Sequence, residues 1–255
     1  MGDEHRIYRI KDPKDPTLIR YHKFLGREYD PSLVDPLAVI QQELRDTMAG
    51  GYETPHVIIA AERENEIIAA ASGNLLPVLY RRNGQGLAVM MLSYSAPETG
   101  PLSPLNKCVS TLESRLAAVA TRRGRSMALS LVESEQDKVD IYRLWGYDGL
   151  ENVIYSQPPL DWDENGNPTT DAVRLELMAK LVGNKAYKAD VARKEEPALR
   201  KGFVRQIGKY TLTEWYIPPE EERSPEANAR IEAFNQELLD KFTTSLGNRV
   251  WIALK

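Results

Sequence analysis

Between residues 86 and 156 the chain lays down an apolar strand, a loop, a long amphipathic helix, a second apolar strand and a short helix. Residues 87–95 and 126–132 are apolar enough to be strands buried on both faces. The helix between them opens at Ser103-Pro104, carries Leu105, Val109, Leu112, Leu116 and Val119 or Ala120 on one stripe, and stops at Gly124. Strand, helix and strand joined so directly require a parallel, right-handed crossover. No other stretch restricts the fold as much.

The preceding segment is a meander. Residues 5–10 alternate polar and apolar and predict a first strand. Asp15-Pro16 and Asp35-Pro36 each open a helix, the first with Leu18, Ile19, His22 and Leu25 on one face, the second with Val39, Ile40, Leu44 and Met48. Residues 56–61 and 67–78 flank Arg63-Glu64-Asn65-Glu66 as a hairpin, and residues 87–95 follow as a third consecutive strand. The predicted fold is α/β (or α+β): a mixed, mainly antiparallel, twisted sheet flanked by helices.

Residues 1–160 are expected to form one domain, bounded by the polar cluster from Asp161 to Pro168. Residues 161–255 read as a largely helical extension that packs on it and could complete the sheet. Thr170 is expected to cap a helix through Leu175, Met178, Leu181 and Val182, and residues 185–201 are helix-prone. Residues 210–217 read as a strand. Ser224-Pro225 opens a last helix bearing Ile231, Phe234, Leu238, Phe242 and Leu246, and residues 250–254 offer a final strand.

Composition excludes several classes. A net charge of −4 and a pI near 5.6 do not suit a nucleic-acid binder, and Arg122, Arg123 and Arg125 are explained by the helix C-terminus they crowd. The single cysteine, Cys108, excludes an internal disulfide or a multi-thiolate metal site and falls on the apolar stripe of a helix. The first residues have no apolar signal core, and no apolar run approaches the length of a membrane span, so the cytoplasm is the expected compartment. His5, His22 and His56 lack metal-ligand spacing, which leaves them structural, and no metal is expected. Asp161-x-Asp163-x-Asn165-Gly166 copies the first half of a calcium loop. Ala172, however, stands where a bidentate glutamate is needed, so a solvated turn is expected.

The short helix ends in Tyr142-Arg143-Leu144-Trp145-Gly146-Tyr147, a tyrosine followed after three residues by a glycine and an aromatic. This segment, with the order of elements over residues 5–156, resembles the Gcn5-related N-acetyltransferase superfamily. The resemblance implies that the strands at 87–95 and 126–132 splay apart to admit the pantetheine arm of acetyl-CoA or another acyl-CoA. It implies further that Tyr142 protonates the departing thiolate. Backbone N–H groups around Leu92, Ser93 and Tyr94 would polarise the thioester carbonyl if the strand is bulged there. The loop before the long helix, with Thr99, Gly100 and Ser103, would hold the pyrophosphate. Only Gly100 keeps the family's pattern in that loop. Leu102 replaces a small residue, and Pro97, Pro101 and Pro104 each remove a donor. Glu135 stands where many members carry an asparagine. Glu98, or Ser93 or Tyr94 through water, would take the proton of the amine.

The resemblance therefore predicts an N-acyltransferase acting by direct attack on a small-molecule or peptide amine, with no nucleic acid or membrane as partner. The extension would shape the acceptor pocket or a homodimer contact. An acetyltransferase-like binding or interaction protein that has lost CoA is the alternative, supported by the proline-rich loop. A weaker third reading is a transferase for longer or carrier-linked acyl chains, suggested by the apolar helices of the extension.

Overall fold

In the computed structural model the described residues are 5–29, 33–50, 54–76, 81–82, 85–97, 103–159, 161–182, 192–193, 197–215 and 223–255. They divide into two compact units, one of residues 1–77 with 85–130, the other of residues 78–84 with 131–255.

The first unit holds β1 (Arg6–Ile10), α1 (Pro16–Glu28), α2 (Leu37–Ala49), β2 (His56–Arg63), β3 (Glu66–Leu76), β5 (Gln85–Pro97), α3 (Ser103–Arg122) and the start of β6 (Arg125–Ser134). The two-residue strand β4 (Arg81–Arg82) precedes β5 in the chain and is counted with the second unit. The strand order is β1-β2-β3-β5-β6, with β1/β2, β2/β3 and β3/β5 antiparallel. The expected meander is thus present. Its hairpin closes on Glu64 and Asn65 at φ of 53° and 67°, the pair of positive angles that a type I′ turn requires. α1 starts where Asp15 Oδ1 accepts a 2.8 Å hydrogen bond from the Thr17 N–H, with proline in the first turn.

Leu18, Tyr21, Phe24 and Leu25 of α1 and Ile40 and Leu44 of α2 bury against Ile58, Ala60, Ala70, Tyr94 and Ala96 of the sheet. α3 packs on β2, β3 and β5 through a stripe of Leu105, Cys108, Val109, Leu112, Leu116 and Ala120. With helices on both sides, β2 and β3 are buried along nearly their whole length, which is why their sequences run apolar without alternation. Cys108 is fully buried and its thiol is pushed up to about 12 by desolvation, the inert condition its place on the stripe predicts.

The second unit contains the end of β6, α4 (Val139–Leu144), β7 (Asp148–Gly149), β8 (Tyr155–Gln157), β9 (Val173–Leu181), β10 (Ala192–Arg193), β11 (Ala198–Arg200), α5 (Lys201–Tyr210), α6 (Pro225–Ser245) and β12 (Trp251–Ala253). β9 pairs antiparallel with β7 and with β8, so residues beyond 160 do extend a sheet. β10, β11 and β12 form a separate antiparallel sheet.

Two expectations fail here. The helix predicted from Thr170 is the strand β9. Val173, Leu175, Leu177 and Ala179 recur at period two, and pairing with β7 and β8 decides in favour of that period over the helical one. The strand predicted over 210–217 is instead the end of α5 followed by a π-turn at Thr211–Trp215, where the Thr211 hydroxyl donates to the Ile207 carbonyl at 3.1 Å. Residues 216 and 217 lie outside the described residues, as does much of the helix-prone stretch at 185–201. Of that stretch, β10 and β11 are strands, and α5 begins only at Lys201. The last helix and the final strand stand as expected.

The acidic turn is also as expected. Asp163 Oδ1 accepts from the N–H groups of Asn165 and Asn167, at 2.9 and 2.8 Å, and its carboxyl is held below the usual range, first by the side chain of Asn167. The carboxylate is occupied in closing the turn. Among the described residues no group of ligands could hold a metal ion, and no helix is long and apolar enough to cross a membrane.

Candidate active site

Along most of its length β5 pairs with β3 residue for residue, but Ser72 faces Tyr94 while Gly73 faces Leu92. Ser93 has no counterpart on β3. This is a β-bulge, and it falls at the centre of the Leu92, Ser93 and Tyr94 segment singled out from the sequence. Opposite it, a Cβ added to Gly73 would lie 2.4 Å from the Met91 carbonyl oxygen. Only glycine lets β5 approach so closely. Gly73→Ala is therefore expected to destabilise the first unit by about 1–3 kcal/mol and to shift the bulge, read as a lowered urea midpoint and an altered amide spectrum for residues 91–95.

The bulge is tied to the helices that cover it. Tyr94 donates to Asp35 Oδ2 at 2.9 Å or to the Leu33 carbonyl at 3.0 Å, and its hydroxyl accepts from the Asp35 N–H at 2.9 Å. The Tyr29 hydroxyl donates to the Ser95 carbonyl and accepts from the Ser95 N–H, both at 2.9 Å, and its ring meets that of Tyr94 edge-on at 5.5 Å. These contacts pin the strand on the C-terminal side of the irregularity. Tyr94 is thereby tied to Asp35, and burial raises its phenol far above the ordinary range.

Ser93 points into a second polar group. Its hydroxyl donates to Asn74 Oδ1 at 3.3 Å. The same oxygen lies 2.6 Å from His56 Nδ1, and that nitrogen is 3.3 Å from Glu43 Oε2. Asn74 Nδ2 donates to the other carboxylate oxygen of Glu43 at 3.4 Å. The tautomer follows from this inventory. His56 Nδ1 faces two acceptors and must carry the proton, so Nε2 holds the lone pair in neutral imidazole. That Nε2 is buried without a hydrogen-bond partner, in a side chain only 3% exposed. Burial raises the Glu43 carboxyl above the ordinary range, with His56 opposing and Asp35 adding to the shift; desolvation raises Asp35 as well. Neither Glu43 nor Asn74 was anticipated, and His56 was read as structural. The available signal was a histidine and an asparagine inside apolar strands, Asn74 being 1% exposed in the middle of β3.

The other expected site residues are less accessible to description. Glu98, Thr99 and Gly100 lie outside the described residues. Ser103 begins α3, a helix of 20 residues, and is exposed; the first turn of such a helix presents unpaired N–H groups, although Pro104 contributes none. Glu135 forms an ion pair with Lys138. In the second unit Tyr142 sits on α4, 8% exposed, with its ring edge-on to Trp145 at 5.5 Å and Tyr147 at 6.1 Å. Gly146 takes φ of 80°, which turns the chain so that the Tyr147 N–H reaches the Tyr142 carbonyl at 3.1 Å. The glycine of the Tyr-x-x-x-Gly-aromatic segment is thus explained by backbone geometry.

No family model and no curated protein matches this sequence. Solved structures similar to it include acetyltransferases. The ribosomal-protein-S18-alanine N-acetyltransferase of Escherichia coli is 12% identical, with a TM-score of 0.46 over 71% of this chain and 96% of that one. An acetyltransferase of the GNAT family from Streptococcus pneumoniae is 12% identical, with a TM-score of 0.44 over 70% and 100%. Glucosamine-6-phosphate N-acetyltransferase from Arabidopsis thaliana is 15% identical, with a TM-score of 0.40 over 56% and 90%. Each is a likeness in fold only.

Proposed function

We propose that this chain is an N-acyltransferase that moves an acetyl or other acyl group from acyl-CoA to an amine. The observation that carries the reading is the bulge at Ser93, which interrupts the β3–β5 ladder where a thioester carbonyl would be polarised by main-chain N–H groups. Gly73 supports it, because the close strand contact is built into the backbone and requires no induced fit. Such preorganised donors are what acyl transfer needs, since charge develops on the carbonyl oxygen in the transition state. Holding amine and thioester in attacking geometry supplies much of the remaining acceleration.

Under this reading Leu92, Ser93 and Tyr94 line the thioester with their main chain, and Thr99, Gly100 and Ser103 meet the pyrophosphate. Tyr142 is the acid for the leaving thiolate. Isothermal titration with CoA and acetyl-CoA tests the proposal. Binding in the micromolar range is expected, weakened at least tenfold by Gly100→Pro. An absence of heat at millimolar CoA would instead favour the binding protein that has lost the cofactor, the reading to which the prolines at 97, 101 and 104 belong.

A further inference from the structure

We propose that Glu43 is the base that takes the proton of the incoming amine, with Asn74 and His56 as positioning residues that hold its carboxylate beside Ser93. The inference rests on the acyl-transfer reading and adds to it a residue on α2, in the role the sequence assigned to Glu98.

Geometry supports it. Glu43 and Ser93 bond to opposite ends of one amide, Asn74, whose Nδ2 serves the carboxylate and whose Oδ1 accepts from the Ser93 hydroxyl. Turning that amide over would set its oxygen against a carboxylate and its N–H groups against His56 Nδ1–H, so only one orientation satisfies all the partners. The carboxylate is therefore fixed one amide away from the bulged residue. The Glu43 side chain is 21% exposed, whereas that of His56 is 4% exposed. Of the two, the carboxylate is the group that an amine can reach. The imidazole keeps its Nδ1 proton toward Glu43 and Asn74, and its Nε2 is buried without a hydrogen-bond partner.

In the step itself the lone pair of the amine nitrogen forms the new C–N bond and an N–H proton passes to the Glu43 carboxylate. The electron pair of the broken C–S bond leaves on sulfur. A carboxyl raised by burial is a better base than a solvated one, and the facing His56 opposes that rise and so favours the ionised form the step needs. The other titratable groups around it are Asp35, which adds to the shift, Asp46, further along α2, and the buried phenol of Tyr21 on α1.

The test joins a binding, a rate and a titration measurement on the full chain. Acetyl-CoA affinity is measured by calorimetry, CoA release is followed with 2-phenylethylamine as the probe amine, and side-chain carboxyls are titrated by ¹³C NMR. For wild type, kcat/KM should rise with pH along a limb set by Glu43, because the protonated carboxyl cannot accept a proton. Glu43→Gln should bind acetyl-CoA as wild type does, lose ~10²–10⁴-fold in rate and lose that limb. Glu43→Asp should keep the limb at a reduced rate. His56→Leu should move the limb, and the NMR titration of Glu43, to higher pH, since the imidazole that favours the carboxylate is gone and leucine donates nothing in its place; His56→Gln, which keeps an N–H, should move both less. A purely structural Glu43 would show the NMR shift alone and leave the kinetic limb unmoved. If acetyl-CoA binds and Glu43→Gln turns over within threefold of wild type with the limb intact, the base assignment is overturned. If the probe amine is not acylated, the NMR titration decides: an ordinary Glu43 value that ignores His56→Leu overturns the proposal, and a raised value that moves supports the part assigned to His56. If acetyl-CoA does not bind at all, acyl transfer itself fails, and the base assignment falls with it.

Discussion

Tyr142→Phe is expected to lower kcat by ~10²–10⁴-fold while leaving acetyl-CoA affinity and the melting temperature close to those of wild type. The contrast follows from how the residue is held. Its ring is packed edge-on between Trp145 and Tyr147, and phenylalanine preserves both contacts. The turn behind it is fixed by Gly146 and by main-chain hydrogen bonds that the substitution does not touch. Only the hydroxyl is removed, and a neutral hydrogen bond is worth about 1 kcal/mol to stability. Stopped-flow detection of CoA release separates the outcomes. Unchanged turnover in Tyr142→Phe would strike Tyr142 from the mechanism and leave the acyl-transfer reading to the bulge.

The second large effect lies in the core of the same unit. Phe242→Ala is expected to cost ~3–5 kcal/mol, measured as a fall in the urea midpoint at constant m-value. Phe242 is 1% exposed on α6, and its ring meets Tyr155 edge-on at 6.2 Å. Against its other edge lies Gly208 of α5, where a Cβ would come 2.1 Å from Phe242 Cε1. Gly208→Ala alone should therefore destabilise by about 1–3 kcal/mol through overpacking. Combined with Phe242→Leu it should cost less than the sum of the two, because the smaller side chain vacates the space that the methyl group needs. Strict additivity would show that the helices had moved apart instead.

The elements that could be read in advance carry their signals locally. Asp15-Pro16 and Ser224-Pro225 each place a side-chain acceptor and a proline at a helix start, and both cap bonds form, the second as Ala227 N–H to Ser224 Oγ at 3.1 Å. The Glu64-Asn65 turn and the stripe of α3 are equally local. β9 was misread because Leu175, Met178 and Leu181 satisfy helical spacing as well as Val173, Leu175, Leu177 and Ala179 satisfy a strand. The outcome was set by partners at 148–149 and 155–157, which a window along the chain does not contain. The polar group under the bulge was hidden for the same reason. Glu43, His56, Asn74 and Ser93 are separated by 13, 18 and 19 residues and meet only when α2, β2, β3 and β5 are assembled. The bulge position could be anticipated only from the resemblance, because residues 87–92 are buried throughout and show no alternation to interrupt.

Inserting one residue into β5 also reverses the parity of the strand. Met91 faces Asn74, and Tyr94 faces Ser72, so odd numbers before Ser93 share a side of the sheet with even numbers after it. When this chain is aligned with others, a single-residue gap opposite Ser93 is therefore not ordinary length variation. A protein with that gap has an uninterrupted ladder at this point and keeps the opposite parity along the rest of the strand.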